Sequence, residues 1–152
     1  MEDFKMKFTR ILALALACVM LALSMASCGG SAVTNVKLKI SVPSEENPEQ
    51  STDYFADGTI DLEVPGENPT VIDVLRVTEE PYDMVYDIEE NANGRSSVKA
   101  IDDYATYTDE ETGIYYAWHF TINGEIPDGH AGSVTVAEGD VIEYIFAPVE
   151  AE

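Results

Sequence analysis

The stretch Ile114-Tyr115-Tyr116-Ala117-Trp118-His119-Phe120-Thr121-Ile122 runs directly into Asn123-Gly124. Apart from Ala117, every residue before the Asn-Gly pair is β-branched, aromatic or His, which is the composition of a strand. Asn-Gly accepts the positive φ angles of a two-residue hairpin turn at little steric cost. The segment therefore predicts a strand ending in a tight turn. Alternation along it puts Tyr116, Trp118, Phe120 and Ile122 on one face and Tyr115, Ala117, His119 and Thr121 on the other. The first set is continuously apolar and is expected to face the core. The second is amphipathic and is expected to form a solvent-facing platform.

Working outward, Val36 to Val42 alternates apolar and polar residues, the period of a half-buried strand, and is a possible sheet edge. Pro43 to Gln50 is a loop rich in Pro and Glu, and Thr59 to Val64 alternates again before Pro65-Gly66. These two alternating segments are expected to pair as an opening hairpin. A helix follows. Pro69 suits its first turn, where a missing N–H is harmless, and Thr70 with Asp73 resembles a capping box. Val71, Val74, Leu75 and Thr78 share a helical face, and the helix is expected to stop near Thr78 to Glu80, before Pro81. Tyr82 to Ile88 and Ser97 to Tyr104 are expected strands, separated by a turn at Asn91 to Gly94. Thr108 to Gly113 is an acidic loop. Glu138-Gly139-Asp140 is a turn before the closing strand Val141 to Phe146. One helix among several strands is an α+β arrangement, with the helix packed on a mixed or antiparallel sheet in a β-grasp-like pattern.

The first 27 residues carry a different signal. Lys5, Lys7 and Arg10 precede an apolar run from Ile11 to Leu23, which ends in small residues just before Cys28. This is the three-part pattern of a secretory signal, and the apolar run is short for a bilayer span. Met25-Ala26-Ser27-Cys28 resembles the bacterial lipobox, which implies cleavage before Cys28 and a diacylglyceryl thioether on its sulfur. The resulting organisation is a lipoprotein signal at 1–27, a flexible tether at 28–35 and one domain at 36–150. Cys18 would leave with the signal, so the domain would hold no disulfide and no free thiol.

Eight Lys+Arg stand against 29 Asp+Glu, a formal net charge of −21. Phosphate binding needs clustered cations, so no nucleic-acid partner is expected. An acidic surface also repels anionic head groups, so membrane association is expected through the lipid anchor alone. At 45% hydrophobic residues, the chain has the apolar content for a packed core.

Four stretches together resemble the DUF4430 domain, which is related to the C-terminal β-domain of transcobalamin and intrinsic factor. They are Thr70-Val71-Ile72-Asp73-Val74-Leu75, Val98-Lys99-Ala100-Ile101-Asp102, Trp118-His119-Phe120-Thr121-Ile122-Asn123-Gly124 and Glu138-Gly139-Asp140-Val141-Ile142-Glu143-Tyr144. Phe120 stands where the family pattern has Tyr. The resemblance implies a β-grasp-like domain that binds soluble ligands, corrinoids being the case in the animal transporters, where a large helical domain supplies the other half of the site.

Aromatic clustering supplies the candidate site: Tyr104, Tyr107, Tyr115 and Trp118 lie close in sequence, followed by the Asn123-Gly124 turn. Flat aromatic faces bind planar ligands or sugars by stacking. Asp102, Asp103, Asp109, Glu110 and Glu111 offer oxygens to calcium but lack EF-hand spacing, and they read as solvated loop. His119 and His130 lack the spacing of a metal pair. No nucleophile elbow or phosphate-binding glycine loop occurs, so no enzyme activity, cofactor or resident metal is expected. The expected function is a surface-anchored protein that binds a soluble small molecule, such as a corrinoid-like one, non-catalytically or delivers it to an uptake complex. The competing reading is an interaction or adhesion module with a surface protein partner.

Overall fold

The computed structural model describes residues 32–44 and 50–149. The expected signal at 1–27, Cys28 and the expected tether as far as residue 31 lie outside the described residues. Among those described, nine strands and two short helices build two sheets around one core.

The strands are β1 (Val33–Pro43), β2 (Ser51–Asp53), β3 (Ile60–Pro65), β4 (Tyr86–Glu90), β5 (Ser96–Ile101), β6 (Tyr104–Ala105), β7 (Tyr107–Thr108), β8 (Tyr115–Ile122) and β9 (Val141–Pro148). The helices are α1 (Val71–Arg76) and α2 (Glu79–Tyr82). The larger sheet has the order β2-β1-β9-β8-β7, with β3 also on β1; the smaller one is β4-β5-β6. The opening hairpin forms as expected, with Val36 opposite Leu62 and Leu38 opposite Ile60. β1 runs parallel to β9, Leu38 opposite Ile142 and Ile40 opposite Tyr144, while every other pairing is antiparallel. The mixed sheet and the α+β layout of the expectation are therefore present.

β1 is not an edge. It is flanked by β9 on one side and by β2 and β3 on the other, because its even residues Val36, Leu38, Ile40 and Val42 all sit in the core. It also begins at Val33, inside the segment expected as tether.

The single expected helix is two. α1 ends at Arg76, and Thr78, fully buried, donates from its hydroxyl to the Leu75 carbonyl at 2.6 Å. That bond satisfies a carbonyl of the last turn and lets the chain re-enter a second turn. Pro81 lies inside α2 rather than beyond the helix, since in a four-residue helix no N–H is required of it. Asp83, at φ 54°, ends that turn. The strand expected from Tyr82 consequently starts only at Tyr86.

At the start of α1, the Asp73 carboxylate accepts from the Thr70 N–H at 2.9 Å and the Thr70 hydroxyl at 2.7 Å. The next free N–H groups, of Val71 and Ile72, donate to the carbonyls of Val134 and Ala131 at 3.0 Å each. The long connection between β8 and β9 thus closes the helix N-terminus. Val71, Ile72, Val74 and Leu75 pack into the core beneath it.

β5 shows why alternation alone misreads its faces. Val98 and Ile101 differ in parity, yet both are buried. Ile88 pairs with Val98 and Asp87 with Ala100, so Lys99 is an extra residue on β5. A bulge of this kind switches the strand's inward parity.

Candidate functional site

β8 carries the site, and its pairing with β9 fixes which side chains share a face. Trp118 lies opposite Phe146 and Phe120 opposite Tyr144. All four, with Tyr116 and Ile122, point to the core side of the larger sheet, as alternation predicts. The smaller sheet and the 125–140 connection approach the same side. Between them lies an apolar cleft of about 180 Å³, lined by Ser96, Ser97, Val98, Trp118, Phe120, His130, Ala131 and Tyr144.

The cleft wall is held by polar contacts at its rim. The Ser96 N–H donates to His130 Nδ1 at 3.3 Å. Gly132 sits so close to Ser96 that a Cβ there would lie 2.5 Å from the Ser96 Oγ, so this approach requires a residue without a side chain. At the base, the Tyr144 hydroxyl donates to the Val71 carbonyl at 3.1 Å, and burial pushes that phenol far above its ordinary pKa. It is a fixed structural donor.

The candidate residues do not form one site. Tyr104, Tyr107 and Trp118 gather around Phe146, with ring centroids 6.1, 6.2 and 5.1 Å from it. Trp118 Nε1 donates to the Tyr104 carbonyl at 2.9 Å. Trp118 alone of the candidates lines the cleft. Tyr115 projects from the opposite face, 41% exposed. It shares that face with His119 but with no second aromatic of β8, and Thr121 there is buried, so the expected platform does not extend along the strand.

Asn123 and Gly124 form the expected turn, at φ 54° and 82°, closed by Ile122 N–H to the Glu125 carbonyl at 2.9 Å. No strand follows the turn directly. The Asn123 side chain is instead committed to the chain before β9: its Nδ2 donates to Asp140 at 2.8 Å and its Oδ1 accepts from the Val141 N–H at 2.9 Å.

Two acids of the nearby loops are also committed. Asp102, at φ 46°, accepts from the Val85 N–H at 2.8 Å and from the Tyr54 hydroxyl. Asp109 Oδ1 accepts from the N–H groups of Thr112 and Glu111, at 2.8 and 2.9 Å, and those bonds hold its carboxyl below the usual range. Among the described residues, no group of three or more His, Cys, Asp or Glu is arranged to hold a metal ion. A second hollow, of about 290 Å³, lies over β1 and β3. Four of its polar residues pair with one another: Lys37 with Asp61 at 2.7 Å, and Glu138 with Asn35 at 2.8 and 3.0 Å.

Sequence reasoning missed Ser96, Ser97, Val98, Phe120, His130, Ala131 and Tyr144 as cleft residues. Phe120 was legible only as core, and Tyr144 only as part of the closing strand. The rest come from segments that no local pattern links to β8.

Fold and cleft together define a small mixed-sheet domain with an apolar recess between two sheets. The chain belongs to the DUF4430 family, whose model, described as a domain of unknown function, matches residues 69–146. A search of curated proteins gave no match. Among solved structures, the chain is similar to haptocorrin in complex with Cbi, with a TM-score of 0.59 and 14% identity, over 79% of this chain and 26% of that one. It thus spans about a quarter of the haptocorrin chain, and the likeness is one of fold. A candidate metal-binding protein from Ruminococcus gnavus ATCC 29149 matches with a TM-score of 0.48 and 15% identity, over 77% of this chain and 99% of that one.

Proposed function

We propose that this protein is a lipid-anchored, extracytoplasmic bacterial protein whose domain binds a soluble small ligand without catalysing a reaction. The observation that carries the binding reading is the recess between the sheets. It is walled by Trp118, Phe120, Tyr144, Val98 and Ala131, with polar groups of Ser96, Ser97 and His130 at hand. Apolar walls with a few polar groups are the usual make-up of a small-molecule site. Every lining residue falls within the family-matched segment. At about 180 Å³ the recess suits one ring or side arm of a larger ligand. Corrinoids come first in the test because the haptocorrin of similar fold was solved with Cbi.

The anchoring reading rests on the sequence: Lys5, Lys7 and Arg10, the apolar run from Ile11 to Leu23, and Cys28 after small residues. The β-grasp reading rests on topology. The first and last strands lie parallel and adjacent, and α1 belongs to the chain between them.

The test is a thermal-shift screen of residues 29–152 with corrinoids, haem-like compounds, sugars and calcium. A ligand that binds only the native state raises the melting temperature by mass action. A saturable shift from an organic ligand, lost on crowding the cleft, supports the proposal. The absence of a shift from every compound removes small-ligand binding as the function.

A further inference from the structure

Among the residues lining the recess between the sheets, His130 has a hydrogen-bonding state that the geometry fixes. Its Nδ1 accepts from the Ser96 N–H at 3.3 Å. A backbone N–H can only donate, so Nδ1 is the bare nitrogen and the imidazole proton sits on Nε2. The contact exists only with the neutral ring, because a proton on Nδ1 would meet the Ser96 hydrogen. Nε2 has no hydrogen-bond partner among the described residues. The residue is also held in place. Its carbonyl accepts from the N–H groups of Ser133 and Val134 at 2.8 and 3.1 Å and from the Ser133 hydroxyl at 3.0 Å. Its own N–H donates to Ser133 Oγ at 3.2 Å. The same turn is docked on α1 through the carbonyls of Ala131 and Val134. A donor fixed before a ligand arrives lowers the ordering cost of binding.

The rest of the lining narrows what can enter. Trp118 Nε1 is committed to the Tyr104 carbonyl and the Tyr144 hydroxyl to the Val71 carbonyl, so both residues offer ring surface only. Ser96 and Ser97 add hydroxyls. Among the described residues, no Asp, Glu, Lys or Arg lines the recess, in a chain that carries 29 acidic and 8 basic residues. A charged group entering it would lose its water and meet no counter-charge. The volume, about 180 Å³, admits one small ring with a short substituent.

We propose that the part of the ligand entering this recess is an uncharged aromatic ring bearing a hydrogen-bond acceptor, which accepts from the His130 Nε2–H while the ring packs against Trp118 and Phe120. The proposal rests on the small-ligand reading above and names the chemistry that the site selects. Aromatic walls favour a flat ring over a branched aliphatic group of the same size. A carboxylate is an acceptor too, but it brings an unpaired charge beside a neutral imidazole. An amidinium brings charge and presents only donors to a donor.

Trp118 is the one tryptophan of the chain, so its emission reports occupancy of the recess. The test titrates the full-length chain, in phosphatidylcholine vesicles, with benzamide, benzoate and benzamidinium, which share a shape and differ in charge. Benzamide is expected to give a saturable change in Trp118 emission that free N-acetyltryptophanamide does not show. Benzoate and benzamidinium should need concentrations at least about tenfold higher. His130→Phe keeps a ring and removes the donor, and should weaken benzamide by about two- to tenfold. Nitrogen-15 solid-state NMR of the histidine-labelled chain, which has two histidines, should show an Nε2-protonated ring whose signal disappears in His130→Phe. A charged probe binding as tightly as benzamide, an Nδ1-protonated His130, undiminished benzamide binding by a folded His130→Phe, or no response to any probe overturns the proposal. The charge series uses the parent chain, so it decides even where His130→Phe does not fold. A saturable shift in the thermal screen beside any of these outcomes removes this inference and leaves the small-ligand reading. No shift and no response removes both.

Discussion

The Trp118 indole N–H donates to the Tyr104 carbonyl at 2.9 Å, across a separation of 14 residues. This bond ties β8 to the segment that joins the two sheets. That segment pairs with β5 through Tyr104 and Ala105 and with β8 through Tyr107 and Thr108. Trp118→Phe keeps a ring against Phe146 and removes the donor. A loss of about 1–2 kcal/mol is expected in urea unfolding, for one partnered hydrogen bond and part of a large half-buried side chain. An unchanged midpoint would mean that the bond does not hold the two sheets together.

Helix α1 should make stability depend on acid. Burial pushes the Asp73 carboxyl up, but hydrogen bonds from the Thr70 N–H, the Thr70 hydroxyl and Arg76 outweigh it, and the group sits below its ordinary pKa. A carboxylate depressed in the folded state contributes stability that is fully present above the unfolded value, about 3.9, and fades as pH falls through the folded one. Asp73→Asn should therefore cost about 0.5–2 kcal/mol at pH 7, with the difference from the parent chain shrinking below about pH 4. Denaturant midpoints at pH 7 and pH 3 check the sign, and a gap that widens at pH 3 would contradict it.

Crowding the cleft rim is the sharpest probe of the recess. In Gly132→Ala the new methyl must displace Ser96, whose Oγ lies 2.5 Å from the Cβ position. The Ser96-to-His130 bond should be lost with it. The expected effect is about 1–3 kcal/mol of destabilisation from overpacking, together with loss of any ligand-induced thermal shift. Full retention of that shift would locate binding elsewhere.

The lipid attachment proposed above would fall on one atom, the Cys28 sulfur. Cys28→Ser should abolish incorporation of labelled fatty acid in bacterial cells and release the domain from membranes into the soluble fraction. Persisting incorporation would exclude the Cys28 thioether.

Local chemistry determined the strand period of β8, the Asn123-Gly124 turn, the two alternating segments of the opening hairpin and the start of α1 at Thr70. Each of these follows from residues within a few positions of one another, where backbone sterics and side-chain alternation act directly. The leader pattern from which a signal ending at Cys28 is proposed is equally local in kind.

Tertiary structure alone decided the rest. Nothing in Val36 to Val42 says that β9 will lie parallel beside it, because a half-buried strand looks the same at an edge as inside a sheet. The bulge at Lys99 reversed the parity of β5, and only pairing with β4 reveals it. The cleft depends on where the 125–140 connection packs, and its contacts to α1 span some sixty residues of chain. Aromatics adjacent in sequence were divided between two faces, since each successive residue of a strand points the opposite way. Tyr107 and Tyr116 therefore meet across strands, while Tyr115 faces away from both.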